Sequence, residues 1–197
     1  MPVSLIPFDM PAAAEIPPHI TDQLRRMEPL EAVRQGMDLL MQIEAADTLV
    51  YEEVDGGGAL VLAAVAGSEE GRAASLQAEL EEADCYGRPW ADAAPSLGSR
   101  ALREGRALLV MGQAGGQEEA DGSDGLPPAL LRYMLGGGAA GNIGFNYVLP
   151  LADGNGPLGA LTLLRGAGSG PLNHEQPNLT EALRQILVET LAADRAS

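Results

Sequence analysis

The strongest constraint on this chain lies in its last quarter. Phe145-Asn-Tyr-Val-Leu-Pro-Leu151 runs through the turn Ala152-Asp-Gly-Asn-Gly-Pro157 into Leu158-Gly-Ala-Leu-Thr-Leu-Leu-Arg165. Two apolar runs joined by an Asp/Gly/Asn/Gly turn predict an antiparallel hairpin. Behind it, Leu179, Ala182, Leu183, Ile186, Leu187, Thr190 and Leu191 recur at helical spacing and form one apolar stripe. A hairpin closed by an amphipathic helix requires a sheet with a helix packed on one of its faces.

Other segments extend the same plan. Leu30, Val33, Met37, Leu40 and Met41 place an apolar stripe on a helix from about Pro29 to Ala45, with Pro29 in its first turn. Thr48–Val54, the loop Asp55–Gly58 and Ala59–Ala66 predict a second hairpin. Ser96 and Gly105 bracket a short helix that leads into a strand, Ala107–Met111.

The closing hairpin and helix resemble the end of a GAF domain, a small-molecule sensor module. Three further features are similar to that family: Ala46-Asp47 before the first strand of the second hairpin, Gly67 at the end of that hairpin, and the passage Ala101-Leu-x-x-Gly105-x-x-Leu108-x-Val110. The likeness covers roughly residues 25 to 193. It implies an α+β fold, an α/β sandwich with a central antiparallel sheet. The N- and C-terminal helices are expected on one face and a ligand pocket on the other.

Composition narrows the role. At 197 residues and 46 % hydrophobic, the chain can bury one good core. No apolar run approaches a membrane span and no signal-peptide pattern opens the chain, so cytoplasm is the expected compartment. The formal net charge is −16, from 28 acidic residues against 12 basic ones, all of them arginine. Without lysine there is no Schiff-base chemistry and no P-loop lysine. So negative a field also disfavours nucleic acid and anionic lipid. A plainer origin of the charge is a GC-rich or salt-adapted genome, with carboxylates keeping the surface solvated.

Two segments fall outside the regular pattern. Residues 1–19 carry five prolines among Leu5, Ile6, Phe8, Met10 and Ile16, and predict an extended arm that packs on its own domain or crosses to a partner. The domain proper is expected over 20–195, with a mobile acidic loop at 112–126. Gly136–Gly141 satisfies a G-x-G-x-x-G string, but it follows a helix-like segment and precedes a strand, the wrong order for a dinucleotide site. Asp121–Gly125 lacks the carboxylate register of a calcium loop. His19 and His174 have no second ligand near them in sequence. The single cysteine, Cys85, can form neither an intramolecular disulfide nor a dithiol site.

Family comparisons sharpen these expectations. Bilin-binding relatives pair their cysteine with a following histidine, where this chain has Tyr86. The cyclic-nucleotide signature Asn-Lys-Phe-Asp-Glu cannot be assembled without lysine. The free methionine sulfoxide reductases of this fold use several cysteines, and haem-bearing relatives need an axial histidine. The expected function is therefore noncatalytic sensing of an unidentified small molecule, without a cofactor or metal. No kinase, cyclase or helix-turn-helix segment occurs in these 197 residues, so the signal is expected to pass through a homodimer or a separate output protein. The terminal helices would form the dimer, with the C-terminal helix near the axis and Leu187 as the position that tests it. A ligand-free interaction module is the alternative, and a weak enzyme using Cys85 the outsider. Candidate pocket residues are Tyr133, Met134 and Phe145 for the apolar wall and Asn142 or Arg132 for the mouth, with Cys85 and Trp90 nearby. Alternation puts Phe145 and Tyr147 on one sheet face and Asn146 on the other.

Overall fold

The computed structural model describes residues 4–67, 77–78, 80–81, 86–87, 97–111, 145–165 and 170–196. The elements run β1 (Ser4–Phe8), α1 (Pro18–Arg26), α2 (Pro29–Gln42), β2 (Thr48–Val54), β3 (Leu60–Gly67), α3 (Leu97–Glu104), β4 (Ala107–Met111), β5 (Phe145–Asp153), β6 (Gly156–Leu164) and α4 (Gln176–Arg195). The strands form one antiparallel sheet in the order β1-β4-β5-β6-β2-β3. The fold is α+β, as the sequence predicts.

Both predicted hairpins form, and their turns show why. Asp55 Oδ1 accepts hydrogen bonds from Gly57 N and Ala59 N, each at 2.8 Å, and Asp153 Oδ1 accepts one from Asn155 N at 2.8 Å. These side chains fold the backbone back on itself before the ladder continues. Beneath the sheet, Leu49, Tyr51, Tyr147, Leu149, Leu161 and Leu163 pack on Val33, Met37 and Leu40 of α2 and on Leu183, Ile186 and Leu187 of α4. This is the helix face. On the opposite face α3 lays Ala101 against Leu108 and Val148, with Leu97 beside them.

Helix α2 ends at Gln42, three residues before the expected Ala45. Glu44 takes a left-handed conformation, φ 56°, and Ala45 N returns to Leu40 O at 2.9 Å. Left-handed backbone is uncommon without glycine, and here it is held from outside. Arg165, at the end of β6, donates to Glu44 O, while Gln176 Nε2 donates to both Ile43 O and Glu44 O at 3.0 Å. The end of α2, the end of β6 and the start of α4 are thereby tied together.

The N-terminal segment departs from a plain arm. Residues Ser4–Phe8 pair with β4 as the sixth strand, and Pro7 is accommodated because β1 is an edge strand. Farther along, Ala14 N donates to Asn178 O at 3.0 Å and Asn178 Nδ2 donates to Ala12 O at 2.8 Å, so the segment crosses to the start of α4. Helix α1 then begins at Pro18, so a boundary at residue 19 would cut it, and His19 lies on the helix and not on the arm.

Leu187 also needs correction. It is fully buried, and a Cβ at Gly36 of α2 would lie 3.1 Å from its Cδ1. The residue fills the chain's own α2–α4 seam and is not a surface position for a second copy. The acidic loop at 112–126 lies outside the described residues.

Candidate functional site

The strands' own side chains on the helix face are mostly apolar, with Thr180, Glu181 and Thr190 buried on α4, whereas on the α3 face the strands themselves bury polar side chains. In the ladder Val50 stands opposite Thr162 and Glu52 opposite Ala160. Val148 also stands opposite Thr162, and Asn146 opposite Leu164. Residues opposite each other share a face, so Thr162 has Glu52 and Thr48 of β2 as diagonal neighbours on one side and Asn146 of β5 on the other. Such diagonal positions lie about 7–8 Å apart, within reach of long side chains. Glu52, Asn146 and Thr162 are each 1 % exposed, and Thr48 is 3 % exposed.

Burying polar groups is costly unless they are hydrogen-bonded. Glu52 and Asn146 both make polar contacts within the chain. Thr162 Oγ1 makes no hydrogen bond among the described residues, a state it shares with the buried Thr180 Oγ1 of α4. A buried hydroxyl in that state is a group to which a bound molecule can contribute.

Helix α3 frames this region. A Cβ at Gly98 would come within 2.8 Å of Ala160 Cβ and would run into the Glu52 carboxylate. Only glycine lets the first turn of α3 seat this closely on the sheet, and that seating places Glu52 at the helix N-terminus, the end that favours negative charge. A register shift between Tyr51 and Glu52 in the β2–β3 pairing marks the same spot. At its other end α3 closes on Gly105, φ 64°, as the sequence predicts. Arg100 Nε and Arg106 Nη2 donate to Glu104 at 2.8 and 2.9 Å, and these bonds hold the Glu104 carboxyl below its usual range.

Phe145 and Tyr147 do share a face, with Asn146 on the other. That face is the helix face: Phe145 packs against the main core cluster, so it is not on the side where the pocket was expected. Tyr147 is similarly committed, since its hydroxyl accepts a hydrogen bond from Leu172 N at 3.0 Å and its ring meets Phe8 edge-on at 4.9 Å. Tyr133, Met134, Asn142, Arg132, Cys85 and Trp90 lie outside the described residues. Next to Cys85, Tyr86 bridges to Leu62, and Gly87 N donates to Leu62 O at 3.1 Å, which returns the chain to the β3 edge.

Glu52 and Thr162 escape sequence inspection because each lies in a strand buried on both faces. The available signal was parity: Glu52 shares a face with Val50, so Glu52 and Glu53 cannot both reach solvent by simple alternation. His19 and His174 are exposed. Among the described residues no group of three His, Cys, Asp or Glu side chains could hold a metal ion, and no helix is long and apolar enough to cross a membrane.

No family model matches the chain, and no curated protein matches it in sequence. Solved structures do. A GAF domain/HD domain protein from Geobacter sulfurreducens superposes with a TM-score of 0.60 at 15 % identity, over 90 % of this chain and 99 % of that one. The GAF domain of a phosphoenolpyruvate-protein phosphotransferase from Coxiella burnetii gives a TM-score of 0.59 at 16 % identity, over 90 % and 91 %. The free methionine-R-sulfoxide reductase of Neisseria meningitidis, solved in complex with its substrate, gives 0.53 at 15 % identity, over 91 % and 87 %. At these identities the likeness concerns architecture, and with the sheet order and the two helix layers it establishes that this chain has a GAF-like fold.

Proposed function

We propose that this chain is a noncatalytic, cytoplasmic sensor. It binds an unidentified small molecule against the α3 face and passes the signal by dimerisation or by contact with a separate output protein. The observation that carries the reading is the buried Thr162 hydroxyl, which has no hydrogen-bond partner among the described residues and lies between Glu52 and Asn146. Ligand sites set a few polar groups among apolar walls, and a buried hydroxyl opposite Val50 and Val148 is a group of that kind. Tyr133, Met134, Asn142, Arg132, Cys85 and Trp90 are the proposed contacts from the segments that join the sheet strands.

A thermal-shift screen of metabolites tests the reading. At least one compound should give a saturable stabilisation that is lost in Thr162→Val, a change that keeps the side-chain shape. If nothing shifts the unmodified protein, the ligand-free interaction module takes its place. The reductase among the similar structures supplies a catalytic alternative, which in this chain would rest on Cys85. Turnover of free methionine-R-sulfoxide that disappears in Cys85→Ser would establish that alternative. Light scattering at micromolar concentration tests the dimer, and a monomer there would remove it.

A further inference from the structure

We propose that the outer edge of β4 is a strand-acceptor site, and that the partner it fits is the segment 4–16 of a second copy of this chain. This inference rests on the dimer in the reading above and names the surface that forms it. In a single copy the segment lies on its own domain. β1 is the end strand of the sheet and pairs with β4 from Ser4 opposite Met111 to Phe8 opposite Ala107. Phe8 meets the Tyr147 ring edge-on at 4.9 Å, and Phe8, Met10 and Ile16 pack against the main core. Asn178 of α4 donates through Nδ2 to Ala12 O and accepts from Ala14 N. Strand pairing alone would admit any extended peptide. An aromatic anchor against Tyr147, two further apolar anchors and a backbone acceptor and donor for Asn178 narrow the choice to this sequence, and a second copy supplies it.

Exchange also suits the rest of the surface. Ile6, 40 % exposed, is the one large apolar side chain left strongly exposed among the described residues, and it belongs to this segment. The apolar stripe of α4 is engaged within the chain, with Leu187 against Gly36. A net charge of −16 on each copy opposes the approach of two broad faces. Exchanged arms bury the same contacts as closed ones, so this dimer needs no additional apolar face. The stretch 9–17 that joins β1 to α1 has no helix or strand, and extended it spans roughly 30 Å, enough to reach a neighbouring copy. Against exchange stands the high effective concentration of a chain's own arm, so the exchanged form should grow with protein concentration.

The test traps the exchanged arm. In a Cys85→Ser background, chains carrying Ile6→Cys are mixed with chains carrying Leu109→Cys, the position opposite in the β1–β4 register, and oxidised with glutathione disulfide. A disulfide joining one chain of each kind should form, about tenfold more abundantly than with Arg103→Cys, an exposed position on α3 that reports random collision. Phe8→Ala, with folding checked by circular dichroism, should abolish this product and leave a monomer in light scattering. At high dilution a single chain carrying both cysteines should close on itself; failure to close means that the register is wrong and sinks the inference. If that chain closes but the mixed disulfide stays at the collision level while light scattering shows a dimer, the inference falls and the dimer stands. If light scattering shows a monomer and no mixed disulfide forms, the inference and the dimer fall together.

Discussion

The two faces of this sheet are built on opposite principles. On the helix face Leu49, Leu149, Leu161 and Leu163 meet Met37, Leu40, Leu183 and Leu187, and burial of apolar surface provides the stability. On the α3 face the same strands carry Thr48, Glu52, Asn146 and Thr162 into the interior beneath a helix whose buried residues are Gly98 and Ala101. Burial there must overcome desolvation of polar groups before it contributes anything. One face is therefore expected to set stability and the other to tolerate chemistry.

The largest effect should come from the helix face. Leu187→Ala leaves a cavity between α2 and α4 and should cost about 2–5 kcal/mol, read by denaturant unfolding. The oligomeric state should be unchanged, because Leu187 faces its own chain. A cost below about 1 kcal/mol would mean that the α2–α4 seam is not the main core.

The glycines sharpen the contrast. Gly98→Ala would drive a methyl group into Ala160 and the Glu52 carboxylate, and should cost about 1–3 kcal/mol while loosening α3. Gly36→Ala meets the Leu187 side chain, 3.1 Å from its Cδ1 and 3.4 Å from its Cγ, and gains about 1 kcal/mol of helix propensity. That change should be close to neutral. Equal costs at the two sites would show that α3 is seated no more tightly than α2.

These contacts also show how far the sequence could be read. Helical and strand periodicities revealed α2, α4, both hairpins and α3, because each has a regular apolar stripe or a turn of defined chemistry. Helix α1 escaped because Ile20 and Leu24 are its only apolar side chains against the core, too few to set a period. β1 escaped because Pro7 weakens any strand signal, and only its pairing with β4 makes it a strand. Alternation separated Phe145 from Asn146, but a strand cannot state which of its faces a distant helix will cover. Glu52 was hidden for the same reason: its burial depends on α3, which comes more than forty residues later.

Tyr51 allows the helix face to be tested by pH. Burial, followed by the charge of Glu53, raises its phenol well above the ordinary tyrosine value. Above that ordinary value, near 10, the unfolded chain releases the proton while the folded chain keeps it. This contribution is complete at lower pH and is lost as pH rises, with a slope of at most about 1.4 kcal/mol per pH unit. Tyr51→Phe should flatten that slope in alkaline denaturation curves. An unchanged slope would mean that Tyr51 ionises in the folded state as freely as in the unfolded one.

The smallest expected effect is also the most discriminating. Thr162→Val replaces a buried hydroxyl by a methyl group of similar shape, and removing a hydroxyl that has no partner among the described residues relieves a desolvation cost of about 1–3 kcal/mol. Loss of any weak polar contact offsets part of this gain, so the ligand-free protein should be unchanged or more stable by up to about 1 kcal/mol. A core polar residue that serves the fold alone behaves in the opposite way: its removal strands a partner and destabilises. Denaturant unfolding of the ligand-free variant therefore separates the two cases before any ligand is known. A loss of more than about 1 kcal/mol would mean that Thr162 is bonded within the folded chain. The polar side chains of the α3 face would then be structural, and the two faces of the sheet would differ in composition but not in purpose.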